Sequence, residues 1–248
     1  MKLKDKVALI TGGSSGIGLA IAQLFLQEGA KVIITGKDRN KLNKIKEQLH
    51  GHVLAVPVDI TQLQEIDDLY QEIANHFNSK IDILVANAGI VDATPVDKVT
   101  EASFDKIMSV NLKGSYFTVQ KSLPYLSSPA SVILISSLAA KSGMENFSVY
   151  CASKAAIISF SKTFAAELAP RSIRVNSISP GVVRTPIFDQ IGVTDQNLQE
   201  WSNLIPLKRA AEPNEIATMA LYLASDDASY VTAADFAVDA GLSGISSF

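Results

Sequence analysis

The chain lacks most features of secreted, membrane-bound and nucleic-acid-binding proteins. It has one cysteine, Cys151, among 248 residues, so it cannot form an internal disulfide, and we expect a reducing, cytoplasmic environment. Its 22 basic and 25 acidic residues nearly cancel, and long runs of like charge do not occur. This balance argues against nucleic acid or an anionic membrane as a partner.

Metal-ligating side chains are also scarce. The chain has 3 histidines, and two of them, His50 and His52, flank Gly51 in a predicted loop with no third ligand nearby in the sequence. We therefore predict that both are exposed to solvent and that the chain holds no metal ion.

Long hydrophobic spans are missing as well. Residues 7–27 and 122–140 carry no charge over the ~20 residues that a bilayer-spanning helix requires. Glycines interrupt the first segment, and two prolines and several serines interrupt the second, so we interpret both as buried elements joined by turns. The apolar run near the amino terminus is too short for the core of a signal peptide.

Hydrophobic residues nevertheless make up 47% of the chain, and many fall into short runs. Segments with helical period separate these runs, most clearly residues 66–77, where apolar side chains recur at i, i+3, i+4 and i+7. This alternation predicts an α/β fold, a doubly wound parallel sheet in a single domain over residues 1–248. The seven predicted strands cover residues 7–10, 32–34, 53–58, 81–86, 132–135, 173–178 and 236–238.

A predicted helix over residues 151–168 is apolar on nearly all sides. Such a helix is buried on two sides, either inside a large core or between subunits. Helices of a doubly wound fold lie on the outside of the sheet, so we favour a subunit interface and predict a homo-oligomer, a dimer or a tetramer.

A glycine-rich turn follows the first predicted strand and opens the first helix. Gly12 can supply the positive φ of a sharp turn, while Gly16 and Gly18 let other groups approach the backbone closely. The amino terminus of the helix presents unpaired N–H groups to a pyrophosphate, and the Ser14 and Ser15 hydroxyls add donors. The turn therefore predicts a nucleotide site.

Four motifs occur in the order and spacing of one family: Thr11–Gly18, Asn87–Gly89, Tyr150–Lys154 and Pro180–Gly181. The chain resembles the single-domain short-chain dehydrogenases/reductases over residues 6–241. This resemblance implies a seven-stranded Rossmann-like fold that transfers a hydride between NAD(P) and a carbonyl compound or secondary alcohol.

Tyr150 and Lys154 are four residues apart and so share one face of a helix. A nearby ammonium favours the phenolate form, which would bring the tyrosine pKa towards the working range of a general acid and base. A lone Y-x-x-x-K pair is more often an ordinary surface pair. The other motifs favour the catalytic interpretation.

The resemblance adds two further residues to this catalytic set. It implies that Ser137 binds the substrate oxygen, with neighbouring Ser136 as the alternative. It also implies that Asn111 organises a water-linked proton path through Lys154, although an amide on an otherwise apolar face can equally be a satisfied core residue.

The resemblance also implies contacts with a dinucleotide. Asp59 would contact adenine, Asn87 and Gly89 would lie near the adenosine ribose, and Val183 and Thr185 would contact the carboxamide and diphosphate. The complete predicted cofactor set is Gly12, Ser14, Ser15, Gly16, Ile17, Gly18, Lys37, Asp59, Ile60, Asn87, Ala88, Gly89, Tyr150, Lys154, Pro180, Gly181, Val183 and Thr185.

The end of the second strand bears on the choice between NADP and NAD. NAD enzymes usually place an acid there to bind the ribose hydroxyls, whereas this chain has Gly36. Lys37 falls where NADP-dependent relatives carry a basic residue that pairs with the 2′-phosphate. Asp38 opposes this assignment, and Ser15 replaces a second basic residue, but the charge pattern favours NADP(H) over NAD(H).

Residues 186–206 form a long, irregular segment typical of a lid over a nicotinamide. Its apolar side chains and two from the loop before Tyr150 could line a pocket or merely pack the segment down. These residues are Phe188, Ile191, Trp201, Leu204, Met144 and Phe147.

Two other functions remain open. A 3-oxoacyl-(acyl-carrier-protein) reductase would need a basic docking surface, and Arg171 and Arg174 offer only a small one. A cofactor-sensing binding protein built on an inactive scaffold would usually lose the tyrosine or the lysine, whereas this chain keeps both.

Overall fold

A computed structural model describes residues 1–77 and 80–245. The seven strands are β1 (Val7–Ile10), β2 (Lys31–Gly36), β3 (Val53–Pro57), β4 (Ile81–Ala86), β5 (Leu126–Ile135), β6 (Ile173–Pro180) and β7 (Asp235–Val238). The α-helices are α1 (Gly16–Gln27), α2 (Arg39–Gln48), α3 (Leu63–Phe77), α4 (Glu101–Ile107), α5 (Ser115–Ser122), α6 (Ser148–Leu168), α7 (Asp195–Leu204) and α8 (Pro213–Ala224).

The strands form one parallel sheet in the order β3-β2-β1-β4-β5-β6-β7. The order reverses between β1 and β4, where connections leave to opposite sides of the sheet. A crevice opens at such a point beyond the carboxyl ends of the strands, which is where open α/β sheets bind ligands. The predicted seven-stranded, doubly wound fold is confirmed.

Helices cover both faces of the sheet because strand side chains alternate between them. Ala8 and Ile10 of β1 point to a core shared with α1, α2 and α8, whereas Val7 and Leu9 point to a core shared with α3, α5 and α6. The predicted periodic segment is α3, whose repeating apolar side chains from Ile66 to Phe77 are buried. Burial on both faces explains the nearly continuous apolar runs.

β5 begins earlier than predicted. It starts at Leu126 rather than at residue 132, because Leu126 pairs with Ile81 and Ser131 already pairs with Ile83. The residues between them form an irregularity beside Asp82 of β4, and Ser127, Ser128 and Pro129 interrupt the apolar run that would have marked the start of the strand.

α6 lies on one face of the sheet with its other side exposed, so the interpretation that it lies inside a large core is wrong. It begins at Ser148, and Ile157, Phe164 and Leu168 face the sheet. Its outer side exposes small side chains such as Ala155. Among the described residues, no helix combines the length and the apolar character needed to cross a membrane.

The segment 186–206 is more regular than predicted. A 3₁₀ turn covers Pro186–Ile191, and α7 follows it. Thr194 and Asn197 form a capping box that starts α7, since each side chain bonds the backbone N–H of the other. The two predicted loop histidines, His50 and His52, are exposed.

Candidate active site

The glycine-rich turn between β1 and α1 adopts a conformation that requires glycine. Gly12 and Gly16 have φ values of +66° and +53°. A Cβ atom on Gly18 would lie 2.4 Å from the Gly12 carbonyl oxygen, so any side chain there would displace the turn. Gly18 thus permits close packing behind the turn, and it does not line the cavity described next.

A hydrogen-bonded clamp fixes this turn to the end of β4. The Asn87 side-chain amide donates to the carbonyls of Thr11 and Gly12 at 2.9 and 3.2 Å. The backbone N–H groups of Asn87 and Ala88 donate to the Thr11 hydroxyl at 3.0 and 3.1 Å. Asn87 therefore shapes the nucleotide turn, a role that the motif alone did not predict.

A groove of about 870 Å³ opens along the carboxyl ends of β1 to β4. The predicted cofactor residues that line it are Gly12, Ser14, Ser15, Gly16, Ile17, Lys37, Asp59, Ile60, Asn87, Ala88, Gly89 and Thr185. Thr35 also lines this groove, and its hydroxyl is buried without a partner among the described residues. An open glycine turn, a helix amino terminus and an unpaired hydroxyl fit a dinucleotide.

The far end of the groove carries the residues used to distinguish NADP from NAD. Lys37 Nζ lies 2.8 Å from a carboxylate oxygen of Asp59. Burial would raise the pKa of Asp59, but hydrogen bonds from Lys37 and Thr61 outweigh it and lower that pKa. Asp38 accepts the Lys41 N–H as the cap of α2, so its carboxylate is engaged in starting a helix.

Ser137, Tyr150 and Lys154 converge beyond the carboxyl end of β5. Ser137 caps the short turn after β5, and its hydroxyl accepts the Ala139 N–H at 3.1 Å. Tyr150 and Lys154 lie one turn apart on α6, with the lysine Nζ 5.9 Å from the centre of the phenol ring. That Nζ donates to the Ile135 carbonyl at 3.0 Å.

The protonation equilibria differ from the sequence-based expectation. Burial raises the pKa of the Tyr150 phenol, and the Ser137 hydroxyl opposes this shift. Burial also lowers the pKa of Lys154 to about 8. The expected lowering of the tyrosine pKa is absent because the ammonium bonds a carbonyl and lies over the ring instead of at the hydroxyl.

Asn111 lies in a π-helical segment, Met108–Gly114, between α4 and α5. Its side-chain carbonyl accepts the Ile90 N–H, and its amide donates to the Ile90 carbonyl and to the Ser153 hydroxyl. Ser153 in turn donates to the Tyr150 carbonyl. The amide is thus saturated by protein partners and ties the loop after β4 to α6.

A second cavity, of about 330 Å³, adjoins the groove. The two share lining residues, including Ile17, Gly89 and Thr185, so they meet there. The smaller cavity is lined by the predicted site residues Ser137, Tyr150, Lys154, Pro180, Gly181 and Val183. Its remaining wall includes all six predicted apolar residues, Met144, Phe147, Phe188, Ile191, Trp201 and Leu204.

Several known proteins are similar to this chain in sequence or in structure. A family profile described as Enoyl-(Acyl carrier protein) reductase matches residues 12–243. The 3-oxoacyl-(acyl-carrier-protein) reductase FabG of Thermotoga maritima is 37% identical over 98% of this chain and 99% of its own, and galactitol 2-dehydrogenase of Agrobacterium fabrum is 37% identical over 97% and 98%. A short-chain type dehydrogenase/reductase from Mycobacterium marinum matches in structure with a TM-score of 0.92 and 31% identity over 98% of both chains. The chain belongs to the short-chain dehydrogenase/reductase family.

Membership of the short-chain dehydrogenase/reductase family confirms the resemblance and makes the chain an oxidoreductase. The family uses NAD(P) to transfer a hydride, which agrees with a groove that fits a dinucleotide. The groove and the smaller cavity give this chain the two adjoining spaces that such a reaction requires.

One ionic contact near the short-chain dehydrogenase/reductase motifs was missed by the sequence analysis. Lys141 ends the turn that follows Ser137, and its Nζ lies 2.6 Å from a carboxylate oxygen of Asp235. Asp235 is 6% exposed, and its other oxygen accepts the Ser177 and Ser179 hydroxyls. The contact joins residues 94 positions apart in the chain, so no local pattern announces it.

Proposed function

We propose that this protein is an NADP(H)-preferring reductase or dehydrogenase that interconverts a carbonyl compound and its secondary alcohol. The observation that carries the proposal is the meeting of the two cavities, with Ser137, Tyr150 and Lys154 beside the residues that the cavities share. A substrate oxygen at the two hydroxyls would lie next to the end of the dinucleotide groove.

NADP(H), when bound, supplies or accepts the hydride. The residues that would hold it are those of the glycine turn, the end of β4 and the segment after β6. Tyr150 Oη gives a proton to the substrate oxygen in reduction and takes it back in oxidation. Ser137 Oγ donates a hydrogen bond to the same oxygen and fixes its position.

Lys154 and Asn111 support this proton transfer. With a pKa of about 8, Lys154 Nζ can release and regain a proton near neutral pH, which is the property needed to restore the proton on Tyr150. Asn111 acts as a positioning residue for the proton path, because its amide bonds Ile90 and Ser153 and holds α6 in place.

The preference for NADP(H) rests on charge. The groove is lined by one carboxylate, Asp59, and by four lysines, Lys37, Lys41, Lys106 and Lys113. Asp38, which opposed this preference in the sequence, is engaged as a helix cap. A 2′-phosphate would therefore enter a region with excess positive charge, where charge-assisted hydrogen bonds are strong.

Thermal unfolding with each cofactor tests this proposal. At equal concentrations NADPH should raise the melting temperature more than NADH does, because the tighter ligand stabilises the native state more. Absorbance of the nicotinamide should then fall when a ketone is added to protein with NADPH. A larger shift with NADH would overturn the preference, and no turnover of any carbonyl compound would overturn the enzymatic function.

Acyl-carrier-protein reduction is a second candidate, favoured by the name of the Thermotoga maritima relative and by the family description. The two arginines considered for docking are partly engaged elsewhere. Arg171 donates to the Leu126 carbonyl, and Arg174 donates to the carbonyls of Leu223 and Ser225. Turnover of an acetoacetyl thioester of acyl carrier protein in preference to simple ketones would establish this alternative.

Two further expectations stand as proposals. The small, uncharged side chains exposed on α6 suit close packing against another subunit, so we propose a homo-oligomer, a dimer or a tetramer. Light scattering of the purified protein would decide between these states and a monomer. The cytoplasmic location still rests on the single cysteine and balanced charge of the chain.

A further inference from the structure

We propose that the substrate is a neutral, largely apolar ketone or secondary alcohol whose hydrocarbon part packs under the segment 186–206. The inference rests on the proposed oxidoreductase function and deepens it. Its starting point is the wall of the smaller cavity, which beyond Ser137 and Tyr150 consists mainly of aliphatic and aromatic side chains. Binding of a hydrocarbon group against such a wall is favourable because it removes apolar surface from water, whereas burial of a polar group there brings no such gain.

Few polar groups in this cavity are free to bind a ligand. The Asn87 amide is bonded to the glycine turn, the Ser136 hydroxyl donates to the Lys154 carbonyl, and the Thr185 hydroxyl donates to the Val183 carbonyl. Among the described lining residues, the hydroxyls of Ser137 and Tyr150 are left for one substrate oxygen, and the other side-chain donors are the Trp201 indole N–H and Lys154 Nζ. A polyhydroxylated substrate would bury hydroxyls without partners, which is costly.

Charge around the cavity disfavours anions. The segment 186–206 contains three exposed carboxylates, Asp189, Asp195 and Glu200, and no lysine, arginine or histidine. Lys154 is the only charged residue among the described lining residues, and it is buried against the Ile135 carbonyl. An anionic ketone or an acidic carrier protein would pass the three carboxylates of this segment and meet only one cation among the described lining residues, the buried Lys154.

A tryptophan in the wall of the smaller cavity allows ligand binding to be followed by fluorescence. Trp201 is the single tryptophan of the chain, and it packs edge to face against Phe188 with ring centres 5.6 Å apart. A hydrocarbon placed against this pair changes the surroundings of the indole. Tryptophan fluorescence therefore measures binding in this cavity independently of turnover.

The experiment compares three ketones on protein saturated with oxidised NADP, where no reduction can occur. The first is 2-octanone, the second is 7-oxooctanoate, which has a carboxylate in place of the terminal methyl group of 2-octanone, and the third is fructose. We expect 2-octanone to shift the Trp201 emission with a dissociation constant at least tenfold below those of the other two. Equal or tighter binding of 7-oxooctanoate or fructose would overturn the proposed substrate class.

The same three ketones are then assayed for turnover with NADPH. If 2-octanone binds but is not reduced, the proposed oxidoreductase function fails while the ligand class stands. If it is reduced but binds no better than the polar ketones, the ligand class fails while the function stands.

A substitution adds a test of the wall itself. Phe188→Ala should raise the KM for 2-octanone about tenfold and leave that for fructose unchanged, since only the apolar ligand loses buried contact area. Tyr230→Ala, at an aromatic side chain exposed elsewhere on the molecule, should change neither value. Equal changes in KM for both ketones, with unaltered melting temperature, would count against hydrocarbon binding at this wall.

Discussion

The groove and the smaller cavity lie side by side, yet they are built from different chemistry. The groove is lined by glycines, hydroxyls and four lysines, whereas the smaller cavity is lined mainly by aliphatic and aromatic side chains. The groove is shaped by backbone geometry at fixed motif positions, as the φ of Gly12 and the clamp from Asn87 show. The cavity is shaped by side chains of the turn after Ser137 and of the segment 186–206.

This contrast explains what each region determines. A groove made from backbone N–H groups and glycines suits the pyrophosphate, which NAD and NADP share. A cavity made from interchangeable side chains can be altered without disturbing the cofactor. With the proposed function, cofactor use is tied to the fold, whereas substrate choice is tied to a few residues of this particular chain.

The largest expected effect lies where the two regions meet. Tyr150→Phe removes the acidic proton, so turnover should fall about 100- to 10,000-fold, while the melting-temperature shift caused by NADPH is kept. Nicotinamide absorbance and thermal unfolding measure the two quantities. Tyr230→Phe, at an exposed tyrosine, is the matched control and should leave both unchanged. Turnover near that of the unmodified protein would remove Tyr150 from the chemistry.

A second prediction concerns the charge buried at this junction. The folded protein holds Lys154 with a pKa near 8 rather than its ordinary 10.5, so between these values the unfolded chain binds more protons and stability rises with pH. At pH 7 both states are protonated and burial of the charge costs up to about 3 kcal/mol. Lys154→Met should therefore stabilise the cofactor-free protein at pH 7, and its advantage should shrink as the pH rises from 8 towards 10.5.

Denaturant unfolding at several pH values measures that difference. Lys162→Met, at an exposed lysine of the same helix, should show no comparable dependence. A Lys154→Met protein that is less stable than the unmodified one at every pH would show that the bond to Ile135 outweighs the cost of burying the ammonium.

Sequence patterns predicted many of the residues that line the groove and the smaller cavity, but not the contacts that fix their protonation and position. The strands appeared as apolar runs because both faces are buried, and the turn at Gly12–Gly18 appeared because its backbone demands glycine. The pair of Lys141 with Asp235 did not appear, since it joins distant parts of the chain. The helix α7 was missed because its capping box, Thr194 with Asn197, lies inside a segment interpreted as irregular.

The direction in which the pKa of Tyr150 shifts depends on the burial of its side chain and on the position of Lys154 Nζ. Neither of these follows from the spacing of the two residues in the sequence.

A third, smaller effect concerns the ion pair between Lys141 and Asp235, which holds the turn after Ser137 against the sheet. Lys141→Met leaves the nearly buried carboxylate of Asp235 without its counter-charge, but Lys141 is 43% exposed, so water can replace part of that interaction. We expect a loss of about 1–2 kcal/mol in the free energy of unfolding. Lys141→Arg should restore most of this loss, and Lys98→Met, at an exposed surface pair, should cause none that can be measured. An unchanged free energy of unfolding for Lys141→Met would show that the ion pair with Asp235 does not support the turn.

The smallest effect is on cofactor affinity, and it tests whether the positive charge of Lys37 selects NADPH over NADH. Lys37→Ala should weaken NADPH binding about fivefold and NADH binding less than twofold, because only NADPH has the 2′-phosphate. The effect is modest because Lys37 is 72% exposed and already pairs with Asp59, so the phosphate competes with a carboxylate for the same ammonium. Calorimetric titration of both cofactors measures the ratio, with Lys46→Ala, on the same helix as Lys41 but outside the described lining of the groove, as the control. Equal weakening of both cofactors would show that Lys37 acts through Asp59 on the adenine end of the groove, and the preference for NADP(H) would then lose its main support.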